Sequence, residues 1–319
     1  MEYSIGLDLG GTNSVFGIVD SQGVIVEQAS MKTKGYENAN AYVDAAMKCL
    51  APIIEKVGGI GKIGYMGIGA PNGNILSGSV EFAPNISWAH DTKVPLAKMF
   101  SERLGGLPVT LTNDANAAAI GEMTFGVAKG MKDFIVLTLG TGVGSGIVCN
   151  GELVYGYDGN AGELGHLRVK EGGRLCGCGR KGCLETYCSA TGVARTAELF
   201  CKESAEPSLL REIPAGEITS YDVAVAAQKG DELAKKVFEY TGQILGEACA
   251  MMTVFSSPEA FIFFGGLAKA GDMLLEPAKK AYEENVMPVF KGKAKFLLSS
   301  LEGASAAVLG AASLKPRGM

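Results

Sequence analysis

At 319 residues the chain exceeds the size at which one hydrophobic core keeps growing, which predicts two lobes with room for a cleft. Its 29 basic and 34 acidic residues give a net charge of -5, and no basic run exceeds two residues, as at Lys279-Lys280. That pattern excludes the electrostatic footprint of a nucleic-acid binder and favours a small-molecule partner.

Met1-Glu2-Tyr3-Ser4 leads directly into a strand, without the charged leader and apolar segment of an exported chain. The longest apolar tracts, such as Ala248 to Phe255, fall far short of the roughly 20 residues a membrane span needs. The expectation is a soluble cytoplasmic protein with no membrane partner, in which Cys49, Cys149, Cys188, Cys201 and Cys249 are reduced, buried thiols.

Ile5-Gly-Leu-Asp-Leu-Gly-Gly-Thr-Asn13 reads as an apolar strand breaking into a Gly-rich turn, followed by a short strand at Ser14 to Val19 and a hairpin turn at Asp20-Ser21-Gln22-Gly23. Apolar residues from Tyr42 to Val57 recur at helical spacing, with Pro52 expected to kink or interrupt the run. Strands follow at Ile63 to Ile68 and Val109 to Leu111, and Asn113-Asp114-Ala115-Asn116-Ala117-Ala118-Ala119 then begins an Ala-rich helix. Ile135-Val-Leu-Thr-Leu-Gly-Thr-Gly-Val143 repeats the first design 130 residues on, with its own second strand at Gly146 to Cys149 and the hairpin signal Asn150-Gly151. Two copies imply an internal duplication and two similar α/β lobes. A long helix is expected over Leu233 to Met252, a buried strand at Ala260 to Phe264 stopping at Gly265-Gly266, and a final Ala-rich helix over Ala304 to Leu314. No low-complexity linker separates the lobes.

The Gly-rich turns let backbone N–H groups approach phosphate oxygens at Gly10-Gly11-Thr12 and Gly140-Thr141-Gly142-Val143-Gly144. Either could be only a tight turn, but their repetition favours phosphate. Asp8 before the first turn suits an outer anchor for Mg²⁺ and its waters. No GxxxxGK[ST] pattern is present. Asp114 is placed to act as general base if an alcohol attacks a phosphoryl group; equally, Asn113 and Asp114 could serve as helix caps.

Gly162 to Glu185 carries the densest signal. His166 followed by Cys176, Cys178 and Cys183 supplies the four N and S donors of a closed tetrahedral Zn²⁺ site. Ordinary core thiols fit poorly with the surrounding glycines, Arg180 and Lys181, and a disulfide fits poorly with a cluster of three. Gly177 to Gly182 formally spells GxGxxG, yet it neither follows an apolar strand nor opens a periodic helix. Glu163 and Glu185 flank the loop and suit sugar hydroxyls, although an isolated Glu is more often surface charge.

Across essentially its whole length the sequence resembles the ROK family of sugar kinases and related repressors, within the sugar kinase, Hsp70 and actin superfamily. The likeness rests on LDLGGT (7 to 12), GAP (69 to 71), PNISW (84 to 88), NDANAAA (113 to 119), LGTGVGSGI (139 to 147), GELGH (162 to 166), the CGCGRKGCLE loop and FGG (264 to 266). It implies a two-lobed, actin-like (ribonuclease H-like) α/β ATPase fold, with residues 1–112 and 304–319 in one lobe, 113–303 in the other and the active-site cleft between them. It implies Asp114 as catalytic base, and Asn85, Asn113, Asp114, Glu163, His166 and Glu185 as sugar contacts. Asp8, Gly10, Gly11, Thr12, Thr141 and Gly142 resemble the family's phosphate turns, and Gly265-Gly266 its adenosine contact. The implied activity is ATP-dependent phosphorylation of a hexose 6-hydroxyl, with Mg²⁺, a structural Zn²⁺ and a homodimer. Glucose is the first expectation; N-acetylglucosamine, N-acetylmannosamine, mannose, fructose and allose are alternatives, because Asn72-Gly73-Asn74-Ile75 after GAP departs from many members. A repressor would carry a helix-turn-helix for which a start at the first strand leaves no room, and the intact Asp8, Asp114 and Gly turn disfavour a silent sensor.

Overall fold

The computed structural model describes residues 2–301 and 303–316. The described residues of Met1–Met131, Leu153–Gly162 and Ser299–Met319 form one compact unit, and those of Lys132–Glu152 and Glu163–Leu298 form another. Among the described residues no helix is long and apolar enough to cross a membrane.

The first unit is built on β1 (Tyr3–Leu9), β2 (Asn13–Asp20), β3 (Ile25–Lys32), β4 (Ile63–Ala70) and β8 (Val109–Asn113), in the order β3-β2-β1-β4-β8. β1 pairs antiparallel with β2 and parallel with β4. Ile5, Leu7, Phe16, Ile18 and Ile68 are fully buried on one face and Gly6, Gly17 and Gly67 are buried on the other, as central strands covered on both faces require. β3 instead alternates half-buried and exposed residues, the pattern of an edge strand. A small second sheet of β5 (Gly73–Asn74), β6 (Ser79–Glu81) and β7 (Lys93–Val94) precedes helix α2 (Leu96–Arg103).

Helix α1 (Ala39–Lys56) corrects one expectation, since it runs through Pro52 without interruption. Pro52 lies on the exposed side, where a carbonyl freed by the missing N–H can be hydrated. Asn38 starts the helix by accepting a hydrogen bond from Ala41 N–H at 3.0 Å.

The last helix, α9 (Gly303–Ala312), lies in a furrow made by the sheet's own glycines. Gly17, Gly6 and Gly67 stand opposite one another on β2, β1 and β4. A Cβ at Gly6 would lie 2.1 Å from the Val308 carbonyl oxygen, and one at Gly67 only 1.8 Å from that of Ala311. On its other side, Gly310 lets the backbone of helix α3 (Asp114–Phe125) approach, a Cβ there lying 2.3 Å from Ala117 O. Tyr65 Oη completes the seat by donating to Ala312 O at 2.8 Å. Gly67→Ala is therefore expected to lower thermal stability by about 1–3 kcal/mol, the usual cost of overpacking, as an equilibrium unfolding curve would show.

The second unit repeats the topology. β9 (Phe134–Leu139), β10 (Val143–Cys149), β11 (Glu152–Leu153), β12 (Ala260–Phe264) and β13 (Lys295–Leu298) follow the order β11-β10-β9-β12-β13. β9 is flanked by antiparallel β10 and parallel β12, as β1 is by β2 and β4. At the hairpin after β10, Asn150 and Gly151 have φ of 52° and 81°, the left-handed pair that a two-residue turn needs. Among the described residues the unit's helices are α4 (Glu185–Cys188), α5 (Ala190–Glu203), α6 (Ser220–Gln228), α7 (Glu232–Ser256) and α8 (Asp272–Asn285), the last packed closely on α7 through Gly242 and Gly246. The duplication and the long helix were legible in the sequence; β3, α8, β13 and the small sheet were not.

Candidate active site and metal centre

The first Gly turn joins β1 to β2 and closes on itself, Gly10 N–H donating to Asn13 O at 3.0 Å; in the second unit Gly140 N–H donates to Gly142 O at 3.0 Å. The copies differ in one respect that bears on chemistry. The strand position held by Asp8 in the first is Thr138 in the second.

Asp8 stands opposite Gly69 of β4, and Gly69 stands opposite Thr112 of β8. A Cβ on Gly69 would come 3.0 Å from Ala117 Cβ and 3.7 Å from Asp114 Cα, so this glycine of the GAP motif is what admits the start of α3. Asn113 is the cap of that helix, its Oδ1 accepting from Asn116 N–H at 2.7 Å. Asp114 is the first helical residue, with Oδ1 accepting from Ala115 N–H at 2.8 Å. The helix-start reading holds, with Asn113 as the cap and Asp114 as the first helical residue, and the cap fixes the carboxylate in place.

Asp8 has a pKa raised to about 6, first by burial and then by the like charge of Asp114. Asp114 is open to solvent yet closely surrounded by protein, and this desolvation raises its pKa against the lowering effect of Ala115 N–H. Two neighbouring carboxylates that repel one another form an oxygen donor set suited to a hard divalent cation. Asn85 is exposed on the loop after β6, with its Cβ 3.2 Å from where a Cβ on Gly11 would lie.

In the second unit His166, Cys176, Cys178 and Cys183 bring four ligand atoms within 4.8 Å of one another. His166 Nδ1 lies 3.6 Å from Cys176 Sγ, and Cys178 Sγ lies 3.7 Å from Cys183 Sγ. A tetrahedral zinc site with ordinary bond lengths has edges of about 3.6 Å between N and S and about 3.8 Å between S and S. The cluster therefore fits Zn²⁺ with Nδ1 as the imidazole donor. The Arg180 backbone N–H holds the Cys178 thiol down at about 6, whereas burial pushes Cys176 up to about 12 and raises Cys183 as well, so a cation would have to draw those two into the thiolate form. Arg174 braces the loop, donating to the Thr186 and Gly192 carbonyls at 2.9 and 3.1 Å and stacking on Tyr187.

Glu163 is exposed and opens the short turn Leu164–His166, which hooks onto β10 through Leu164 N–H and Ser145 Oγ at 3.0 Å. Gly165 rests on Val143, where a Cβ would lie 2.0 Å from the carbonyl oxygen. Glu185 Oε2 accepts from Val143 N–H at 3.1 Å, so the residue that follows the cysteine loop is tied directly to the second Gly turn. Behind the turn, Ala190 N–H donates to Gly140 O at 2.8 Å and Thr191 Oγ1 to Thr141 O at 3.1 Å. Gly265, at φ 106°, abuts Leu139, which puts Gly265-Gly266 beside that same turn. Residue-by-residue reading missed Gly69 and Gly165, which act through close approach, and Arg174, whose partners Thr186, Tyr187 and Gly192 lie 12 to 18 residues away.

The chain belongs to the ROK family, whose model matches residues 4–317. It is 37% identical to the glucokinase of Halalkalibacterium halodurans over 315 residues, covering 97% of this chain and 93% of that one. The glucokinase of Thermotoga maritima is 36% identical over 318 residues, with 97% and 96% covered. Among solved structures, the ROK glucokinase of Streptomyces griseus in complex with glucose and AMPPNP is similar over 98% of both chains, at 36% identity and a TM-score of 0.79. The fold is thus the actin-like α/β fold of ROK sugar kinases, as the sequence motifs implied.

Proposed function

We propose that this chain is an ATP-dependent hexokinase transferring the γ-phosphoryl group of ATP to the 6-hydroxyl of a hexose, with glucose the preferred substrate. The observation that carries this reading is the Asp8–Asp114 pair beside the first Gly turn, in a chain similar to a kinase solved with glucose and AMPPNP. Asp114 accepts the proton of the attacking hydroxyl, and its raised pKa brings it nearer to neutrality, where a general base is most effective. Asn85, Asn113, Glu163, His166 and Glu185 hold the sugar. Gly10, Gly11, Thr12, Thr141 and Gly142 cradle phosphates, and Gly265-Gly266 meets the adenosine. Asp8 would hold Mg²⁺, which supplies charge neutralisation at the phosphates when bound. His166, Cys176, Cys178 and Cys183 would hold Zn²⁺, whose four protein ligands leave it a structural role. A cytoplasmic homodimer is part of the same reading. A coupled ADP-release assay over a panel of hexoses tests it; sugar binding without ADP release would instead mark a silent sensor.

Asp8→Asn is expected to reduce kcat/KM for ATP by at least roughly tenfold with little change in sugar affinity, since it removes a charged metal anchor. Because Asp8 binds its proton more tightly folded than unfolded, its contribution to stability is full below the ordinary value of 3.8 and is lost as pH rises through about 6. The variant should therefore melt higher than the wild type at about pH 8 in metal-free buffer and show no such gain near pH 4. Thermal melts at the two pH values check the sign.

A further inference from the structure

We propose that Glu185 couples sugar occupancy to phosphoryl-donor binding, because one carboxylate both receives the sugar and holds the Gly140–Val143 turn in shape. The sugar end rests on the hexokinase reading; the turn end does not. Oε2 accepts from Val143 N–H at 3.1 Å and lies 2.4 Å from where a Cβ on Gly142 would be. Gly142 has no positive φ to demand glycine, so the carboxylate against it is what requires the missing side chain. Oε1 is 3.5 Å from Cys176 Sγ, so the same group reaches the metal loop. Val143 is gripped on its other side as well, its carbonyl lying under Gly165 of the GELGH turn.

The consequence is electrostatic. A carboxylate fixed on an amide of a phosphate turn opposes the approach of a phosphoryl anion and occupies one of the turn's donors. Sugar hydroxyls that donate to the carboxylate disperse its charge, which makes the turn a better phosphate site. By linkage the donor must strengthen sugar binding by the same factor. The first unit places Asn85 against Gly11 in a similar way, but that contact is uncharged, so the electrostatic link belongs to the second unit.

Two variants test this. Glu185→Gln keeps an acceptor for Val143 N–H and removes the charge. Calorimetry with a non-hydrolysable ATP analogue, with and without glucose, should show glucose strengthening nucleotide binding of the wild type by about 5–150-fold, the usual range of coupling between sites. In Glu185→Gln the nucleotide should bind more tightly without sugar, and the coupling should shrink toward one. Gly142→Ala, although it lies in the nucleotide turn, should push Glu185 away and weaken glucose binding at least about tenfold in the absence of nucleotide, the weight of a lost charged hydrogen bond. Coupling unchanged in Glu185→Gln, or glucose affinity unchanged in Gly142→Ala, overturns the proposal. A wild type that binds no hexose sinks the hexokinase reading instead, and nucleotide affinity of Glu185→Gln without sugar then still decides the role of Glu185 at the turn.

Discussion

Asp114→Asn is expected to bind glucose much as the wild type does while turning over at least about 10²-fold more slowly, the usual weight of general-base catalysis. The substitution is nearly isosteric, and an amide oxygen can still accept from Ala115 N–H, so the start of α3 should keep its shape. What is lost is the ability to take a proton. The change also removes the like charge that helps to raise Asp8 to about 6, so any acid limb that reflects Asp8 should move to lower pH in the variant. Single-turnover rates combined with glucose titrations separate the two effects. A variant with near-normal kcat would show that Asp114 is a helix-start residue and no base.

Replacing Cys183 by Ser should lower zinc content, weaken glucose binding and lower the melting temperature together. Loss of an outer partner of a metal ligand typically costs 10–100-fold in metal affinity, and loss of a ligand should cost at least roughly that. Cys183 is buried with its sulfur 3.7 Å from that of Cys178, and a serine hydroxyl in its place would stay protonated and so could not offer the metal an anionic donor. The loop Cys183 closes carries His166 at one end and runs into Glu185 at the other, so its disorder would reach two of the proposed sugar contacts directly. A bound metal would also order the loop, which is why stability should fall as well. Elemental analysis, calorimetry and a melting curve read the three effects. Full activity in protein that contains no zinc would falsify the organising role of the metal.

The parts of the site that were legible in the sequence are those whose signal is local. Strand, Gly turn and strand stand in a row, and the His and Cys residues sit within 18 positions of one another. Asn113-Asp114 announces itself as a helix start because capping chemistry is a matter of adjacent residues. The rest depends on partners far away in the chain. A glycine inside β1 or β4 reads as a weak point in a strand, and only the approach of Val308 or Ala311 gives it a reason. Glu185 reads as a sugar contact or a surface charge, and its hold on the Val143 amide, 42 residues earlier, has no signature in the sequence. β3 escaped notice because an edge strand with one polar face lacks the continuous apolar run of its neighbours. Pro52 misled for the opposite reason, since its local rule is strong and solvent exposure relaxed it.

The glycine furrow under α9 also sets a schedule. β1, β2 and β4 are synthesised early, but the face lined by Gly6, Gly17 and Gly67 has no cover until residues 306–314 leave the ribosome. Contacts this distant along the chain are slow to form and leave the surface they will cover open in the meantime. The second unit's segment from Glu163 to Leu298 is continuous and finished sooner. The nascent first unit must therefore wait, with its central strands unsealed, for a helix made after the second unit's whole segment, and nicking within that helix would act on β1, β2 and β4 rather than on its own neighbourhood in sequence.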